Sequence, residues 1–343
     1  MKATYRAMQV AQPGMLELVE RPMPEPDDDE VLIQVEACGI CGADAADIDN
    51  ASPGQQPPRV PGHEVVGRIL ALGARTPALW KLGQRVGVGR LGGHCNACAP
   101  CRRGQFQLCE NQPFVGATCD GGYADMMVAR ATGLVAIPDE LDSVEAAPLL
   151  CAGLATFNAL RKSGAQAGDA VAVLGIGGLG HLALQYARRM GFRVVAVGRG
   201  ADIADDALAL GAHAYLDTTR DDVVERLKAM GGVQALIATI GHAPTVSALL
   251  GALAPHGKAV LLGAGKDPLA VAMGAFVVGE RSLLGSITGT PVENEKTLDF
   301  SVLTEVRPMI ETLPLERANE AFRRMKSGDV KFRMVLRCSD ARR

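Results

Sequence analysis

The pattern of apolar and polar residues divides the chain near residue 154. Before that point the apolar segments are short, and proline clusters at 22–26 and 57–61 and frequent glycine pairs interrupt them. Short apolar or alternating segments predict strands at residues 31–37, 84–89 and 123–128. We therefore predict a β-rich region with long loops over about the first 140 residues.

Beyond residue 154, apolar runs alternate with helical stretches. Strands are predicted at 170–174, 193–197, 234–240 and 258–262, and helices from 180 to 190 and at 201–210, 221–230 and 243–253. Gly191, Gly211 and Gly257 stand where helices are expected to end. This alternation predicts an α/β fold with a doubly wound parallel sheet. The tail from 292 to 343 predicts helices and a final strand.

Length and composition limit the class of protein. A chain of 343 residues predicts two domains, and 48% apolar residues suffice for a full core. A net charge of −3 gives no reason to expect a nucleic acid or an anionic membrane as partner. The N-terminal residues contain no apolar signal-peptide region, and the apolar stretch at 170–187 is interrupted by glycines. We expect a cytoplasmic protein.

Four glycines form a candidate nucleotide site. Gly175, Gly177, Gly178 and Gly180 spell G-x-G-G-x-G between an apolar strand and a helix. Such glycines allow a tight turn and a close approach of the backbone to a pyrophosphate, which the helix N-terminus then binds. The alternative is a glycine-rich turn that binds nothing, but the strand and helix on either side favour the dinucleotide site.

The end of the second predicted strand bears on the choice of cofactor. An Asp or Glu there would accept a hydrogen bond from the adenosine ribose, but this chain has Gly198 followed by Arg199. The missing carboxylate and the guanidinium favour NADP over NAD. Aspartates at 202, 205 and 206 weaken the positive field, and NAD therefore stays the alternative.

Four cysteines within fifteen residues indicate a metal. Cys95, Cys98, Cys101 and Cys109 follow the spacing C-x2-C-x2-C-x7-C. Four thiolates make the closed tetrahedral shell of a structural Zn²⁺, which has no open position for chemistry. We assign this set to the stability of the loop.

A second, scattered set has the composition of a catalytic zinc site. Cys41 ends the run CGIC, His63 and Glu64 lie in PGHE, and Cys151 lies in PLLCAG. Two thiolates and one imidazole leave the fourth position of a zinc ion open to substrate. Taken singly, Cys151 would be a small buried residue and His63 a hydrogen-bonded turn residue, and their spacing alone does not join them.

Taken together, these motifs resemble those of the zinc-dependent medium-chain alcohol dehydrogenases. The resemblance runs nearly end to end and rests on CGIC at 38–41, PGHEVVG at 61–67, CNACAPC with Cys109, DGGYA at 120–124, LLCAGLATF at 149–157, GIGGLG at 175–180 and VKFRMVL at 330–336. It implies a GroES-like catalytic domain of residues 1–152 and 289–343 and a Rossmann dinucleotide-binding domain of residues 153–288. The active site would lie in the cleft between them.

The resemblance also implies individual roles. Cys41, His63 and Cys151 would hold the catalytic zinc, Glu64 would lie behind it, and Asp44 would hydrogen-bond His63. The cofactor would be bound by the glycine loop with its Leu179, by position 198 and by three further residues, Arg199, Gly263 and Arg333, of which Arg333 would reach the pyrophosphate. The family forms dimers or tetramers, so we expect a homodimer or a homotetramer.

Two positions depart from the family pattern. Ala43 replaces the usual Ser or Thr that passes the alcohol proton onward, and Ala46 replaces a frequent His near the ribose. We therefore expect an alcohol dehydrogenase or aldehyde reductase with two zinc ions and NADP, acting on a small alcohol, aldehyde or ketone, with an altered proton path. The alternatives are a zinc-free quinone or enone reductase on the same fold, or a catalytically impaired nucleotide-binding or redox-sensing protein.

Overall fold

The protein is described here by a computed structural model that covers residues 3–50 and 58–338. The chain forms two compact units, Met1–Cys151 with Gly289–Arg343, and Ala152–Thr288. The sequence-based division placed the first boundary one residue later. Each unit has its own sheet and hydrophobic core.

Fifteen strands are found in the described part of the chain. In order they are β1 (Thr4–Gln12), β2 (Met15–Pro22), β3 (Glu30–Ile40), β4 (Glu64–Leu72), β5 (Arg85–Val88), β6 (Met126–Arg130), β7 (Leu134–Ala136), β8 (Ala170–Leu174), β9 (Arg193–Gly198), β10 (Ala214–Asp217), β11 (Val233–Ala238), β12 (Leu253–Leu261), β13 (Ser282–Gly285), β14 (Ile310–Pro314) and β15 (Arg333–Arg337).

Eleven α-helices accompany these strands in the same described ranges. They are α1 (Gly42–Asp49), α2 (Ala99–Arg102), α3 (Ser143–Pro148), α4 (Leu154–Ser163), α5 (Gly180–Arg189), α6 (Ala204–Ala209), α7 (Val223–Ala229), α8 (Ala243–Leu249), α9 (Met273–Gly279), α10 (Pro291–Thr304) and α11 (Ala318–Ser327). The longest, α10, begins with a capping box between Thr290 and Glu293 and has Pro291 in its first turn. These residues satisfy or remove free N–H groups at the helix start.

The first unit is mainly antiparallel. β1 and β2 form a hairpin, and a seven-stranded sheet has the order β14-β15-β3-β4-β5-β7, with β6 paired to the first half of β3. β14 and β15 run parallel, whereas β15, β3, β4, β5 and β7 pair antiparallel. The long strand β3 is therefore central, and its C-terminal end delivers Cys41 to the start of α1.

The second unit contains a six-stranded parallel sheet. Its strand order is β10-β9-β8-β11-β12-β13. From β8 the chain adds β9 and β10 on one side and then β11, β12 and β13 on the other, which is the strand order of a doubly wound sheet. The strand β8 is a continuous apolar run whose last four residues are buried, as expected for a strand covered on both faces. The predicted parallel sheet is confirmed.

Two local predictions were wrong. Gly257 lies inside β12 and not at a helix end, because α8 already stops at Leu249 and β12 begins at Leu253. The strand predicted at 123–128 begins only at Met126, since Tyr123 belongs to the loop before it. Gly191 and Gly211 do follow α5 and α6, with φ of 83° and 111°.

One helical run is long and apolar enough to cross a membrane by length and composition. It spans Ser143–Ser163, and 83% of its most apolar window is buried inside the protein. Such burial is typical of a core helix.

Candidate active site and metal centres

Asp44 organises the start of α1 from a fully buried position. Its Oδ2 accepts hydrogen bonds from the backbone N–H of Cys41 at 2.9 Å and from the hydroxyl of Tyr123 at 2.9 Å. A buried carboxylate needs such donors to be stable. Tyr123 has no role among the sequence-based predictions, although its motif DGGYA belongs to the resemblance.

His63 is held by the other oxygen of the same carboxylate. Its Nδ1 lies 2.6 Å from Asp44 Oδ1, and both side chains are fully buried. Burial disfavours the imidazolium, yet the Asp44 charge raises the pKa of His63 well above its ordinary value. When the imidazole is neutral, the bond fixes the proton on Nδ1 and leaves the lone pair on Nε2. This Nε2 is buried and has no hydrogen-bond partner among the described residues.

Glu64, the residue after His63, forms a buried ion pair with Arg333. Arg333 Nη2 donates to the two carboxylate oxygens of Glu64 at 2.5 and 2.6 Å, and both residues are buried. Burial alone would lower the pKa of Arg333, but the Glu64 charge raises it above its ordinary value. The predicted contact between Arg333 and a cofactor stays a prediction, whereas its ion pair with Glu64 was not predicted.

Cys151 enters the site from a π-helical turn, Leu149–Gly153, that follows Pro148 in α3. Proline lacks the N–H for the regular helical bond, and π turns recur at functional sites. The ligand atoms of Cys41, His63, Glu64 and Cys151 all lie within 4.8 Å of one another. The structure thus brings together all four residues that the sequence placed at the catalytic metal.

The donor set fits a zinc ion with one open position. The Glu64 oxygens are engaged by Arg333, which leaves two sulfur atoms and the orphaned His63 Nε2 as free ligands. Interaction with the Cys151 thiol lowers the pKa of Cys41 well below its ordinary value, and the same interaction raises the pKa of Cys151 well above its ordinary value. Two neighbouring sulfur atoms and an imidazole nitrogen are ligands that a soft divalent cation such as Zn²⁺ prefers.

Replacing Asp44 with Asn is expected to weaken zinc binding and kcat/KM by about 10–100-fold, the usual effect of removing the partner of a metal-bound histidine. Asn keeps the size of the side chain but lacks the charge that orients His63. Zinc competition with a chromophoric chelator and steady-state kinetics measure the two losses. Asp49→Asn on the same helix serves as the control, because its carboxylate contacts Lys326 at the surface. Unchanged zinc affinity in Asp44→Asn would contradict the role of this carboxylate.

The four clustered cysteines form a second group with mutual ligand distances within 4.8 Å. The sulfur atoms of Cys98 and Cys109 are 3.9 Å apart, close to the roughly 3.8 Å edge of a tetrahedron with Zn–S bonds of about 2.3 Å. A hydrogen bond from Asn111, followed by two backbone N–H groups, lowers the pKa of Cys95 to about 5. The group fits a closed thiolate shell, with Cys101 on α2 and Cys109 after a 3-10 turn.

The second unit has a cavity of about 880 Å³ at the carboxyl ends of β8 and β9. Its lining includes most of the predicted cofactor residues, namely Gly175, Gly177, Gly178, Leu179, Gly198 and Arg199. α5 begins here, so the positive end of its helix dipole lies at the same edge. Gly263 instead lines a smaller neighbouring cavity of about 170 Å³, which shares Ile240 with the larger one.

Two family models match the chain. "Alcohol dehydrogenase GroES-like domain" matches residues 27–139, and "Zinc-binding dehydrogenase" matches residues 178–302. The first model lies in the β-rich unit and the second mainly in the unit with the parallel sheet. The GroES-like and Rossmann folds expected from the sequence are confirmed.

Individual proteins match over almost the whole chain. Alcohol dehydrogenase patD from Penicillium expansum is 38% identical over 335 residues, which cover 97% of this chain and 98% of the relative. Acetophenone reductase from Geotrichum candidum, solved with NAD, has a TM-score of 0.86 at 27% identity and covers 98% of both chains.

A zinc-binding dehydrogenase from Sinorhizobium meliloti, solved with NADP, also has a TM-score of 0.86 at 27% identity and covers 98% of this chain and 99% of its own. Together with the two family models, these matches cover both units. The chain belongs to the zinc-dependent medium-chain dehydrogenase/reductase family, among its alcohol dehydrogenases.

Proposed function

We propose that this chain is a zinc-dependent alcohol dehydrogenase or aldehyde reductase that prefers NADP(H) to NAD(H). The observation that carries the proposal is the buried group of two thiols and an imidazole whose Nε2 has no partner among the described residues. A zinc-free quinone or enone reductase has no use for such a set, because its chemistry needs no soft metal shell.

The residues of the site have different roles in the proposed reaction. When bound, zinc supplies a Lewis acid for the substrate oxygen, and the nicotinamide supplies or accepts the hydride. Asp44 keeps the proton of neutral His63 on Nδ1, and Arg333 holds the Glu64 carboxylate so that it does not close the metal shell. Burial of Cys41 and His63 excludes water from their ligand atoms, which strengthens electrostatic interactions there.

The proton path is the unusual part of this site. Ala43 lies exposed on α1, where a hydroxyl would pass the alcohol proton onward, and Ala46 is exposed one turn later. We propose that water and the cofactor ribose carry the proton instead. The alternative is that the proton step is slow and limits the rate of alcohol oxidation.

Ala43→Thr is expected to raise kcat for alcohol oxidation on the order of tenfold. This is less than the roughly 10²–10⁴-fold that a positioned proton carrier contributes, because water and the ribose already carry the proton in the wild type. Ala43 is exposed, so the larger side chain meets little steric resistance. Ala43→Val has the same shape without the hydroxyl and is expected to give no gain. An unchanged kcat in Ala43→Thr, with a solvent isotope effect near unity, would count against a limiting proton step.

Arg199→Ala is expected to weaken NADPH binding about tenfold or more and to leave NADH binding unchanged, since only NADPH carries a 2′-phosphate for the guanidinium. Arg199 is exposed and lines the cavity of the second unit, so its loss should not disturb packing. Titration of both nucleotides by protein fluorescence or calorimetry measures the effect. An equal loss for both nucleotides would remove Arg199 as the residue that selects NADP.

A substrate screen tests the proposal as a whole. Purified protein is assayed for NADPH and NADH consumption with short, branched and aromatic aldehydes, before and after removal of zinc by a chelator. The proposal predicts turnover with NADPH on at least one aldehyde, loss of turnover with the metal, and recovery when zinc is added back. Full turnover in zinc-free protein, or reduction of enones but not of aldehydes, would contradict it.

A further inference from the structure

Tyr215 occupies the space beside Gly198 where a side chain on residue 198 would lie. Gly198 ends β9, and Tyr215 lies on the neighbouring strand β10, two residues before the register partner of Gly198. A Cβ atom built on Gly198 would lie 2.5 Å from the Tyr215 Oη, 2.8 Å from Cε2 and 3.0 Å from Cζ. Carbon atoms do not approach other atoms so closely, so any larger residue at 198 requires Tyr215 to move.

The tyrosine ring is tied to the turn that follows β9. The Tyr215 hydroxyl donates a hydrogen bond of 2.5 Å to the backbone carbonyl of Gly200. Burial, followed by the charges of nearby aspartates, raises the pKa of Tyr215 to about 12, so the hydroxyl remains a donor at neutral pH. Moving the ring away from Gly198 therefore breaks a hydrogen bond as well as a packing contact.

Asp217 holds the same turn from its other side. Its Oδ1 accepts from the backbone N–H of Gly200 at 2.9 Å and from the backbone N–H and hydroxyl of Thr219 at 2.9 and 2.8 Å. Both the N–H and the carbonyl of Gly200, which has φ of 86°, are thus bound by side chains of β10. Arg199 stands between the two glycines and lines the cavity together with Thr219.

We infer that Tyr215 is a specificity-determining residue for the cofactor: it excludes a carboxylate from position 198 and, through Gly200, fixes the turn that carries Arg199. This inference rests on the proposed function, because it concerns the cofactor site of that enzyme. A carboxylate at this position would read a free ribose 2′-hydroxyl, and Tyr215 leaves it no room. The cavity therefore takes an adenosine ribose that carries a 2′-phosphate beside Arg199.

Because Tyr215 fills the space beside Gly198, an acidic residue at position 198 alone is not expected to change the cofactor preference from NADP to NAD. Gly198→Asp, Tyr215→Ala and the double variant are compared with wild type by calorimetric titration of NADPH, NADH, 2′,5′-ADP and 5′-AMP. The two fragments lack nicotinamide and report on the adenosine site without turnover. Gly198→Asp is expected to bind NADPH at least about tenfold more weakly and to gain no affinity for NADH. The double variant is expected to bind NADH at least about tenfold more tightly than Gly198→Asp does.

A neutral pair of variants separates the steric part from the charge and replaces the test if Gly198→Asp does not fold. Gly198→Ala is expected to weaken 2′,5′-ADP binding in the presence of Tyr215 and to have little effect in the Tyr215→Ala background. Wild-type binding by Gly198→Ala, or a gain of NADH affinity in Gly198→Asp equal to that of the double variant, would overturn the inference. A wild-type protein that binds neither dinucleotide would instead overturn the proposed function itself.

Discussion

Cys41→Ala is expected to abolish zinc binding at the site of His63 and Cys151 and to reduce kcat/KM by about a thousandfold or more. A bound metal that acts as a Lewis acid contributes several kcal/mol to the transition state, and about 4 kcal/mol corresponds to a factor of roughly a thousand. The remaining thiol and imidazole offer only two free ligands, since Arg333 engages Glu64. Metal analysis and steady-state kinetics on an aldehyde measure both effects.

The control for this substitution is another cysteine of the same unit. Cys119 is partly buried and lies outside both groups of metal-ligating side chains. Cys119→Ala should therefore keep the metal content and the turnover of the wild type. If Cys41→Ala retained a tenth or more of the wild-type kcat/KM, the assignment of Cys41 to a catalytic metal would be wrong.

Cys109→Ala is expected to destabilise the protein without changing its chemistry. A metal that joins Cys95 to Cys109 closes a loop of fifteen residues, and a disulfide of that span contributes roughly 3 kcal/mol. At about 2–4 °C per kcal/mol, the melting temperature should fall by about 6–12 °C. Calorimetric melting of Cys109→Ala and of Cys119→Ala, at equal metal concentration, provides the comparison.

Turnover separates a structural role of this loop from a catalytic one. Below its melting temperature, Cys109→Ala should bind substrate and cofactor as the wild type does, because the loop metal has no open coordination position. A variant that melts like wild type but has lost turnover would place the clustered cysteines in the chemistry and would contradict the assignment.

The features that the sequence predicted well are local. The run Ala170–Leu174 and the glycines after it are read from neighbouring residues, and the spacing of Cys95 to Cys109 is a signal within one loop. The strand β10 was missed because four residues, AYLD, carry too little pattern to register as a strand. The predicted start of β12, residue 258, lies five residues after the observed start at Leu253, because Pro255 and Gly257 resemble residues that end a strand.

The contacts that build the active site are not local and leave no periodic signal. Asp44 meets Tyr123 across 79 residues of sequence, and Glu64 meets Arg333 across 269. Spacing alone could not join Cys41, His63 and Cys151, and the resemblance to a family was needed to propose them as one set. The contact of Tyr215 with Gly198 depends on strand register, which becomes visible only in the folded sheet.

We propose that this chain holds two metal ions with separate tasks, one at each group of ligand side chains. The most direct measurement is the zinc content per chain of three purified proteins: wild type, Cys41→Ala and Cys109→Ala. We expect two zinc ions in the wild type and one in each variant, with turnover lost only in Cys41→Ala. A wild type that carries at most one zinc ion at full turnover, or a Cys41→Ala protein that keeps both, would contradict it.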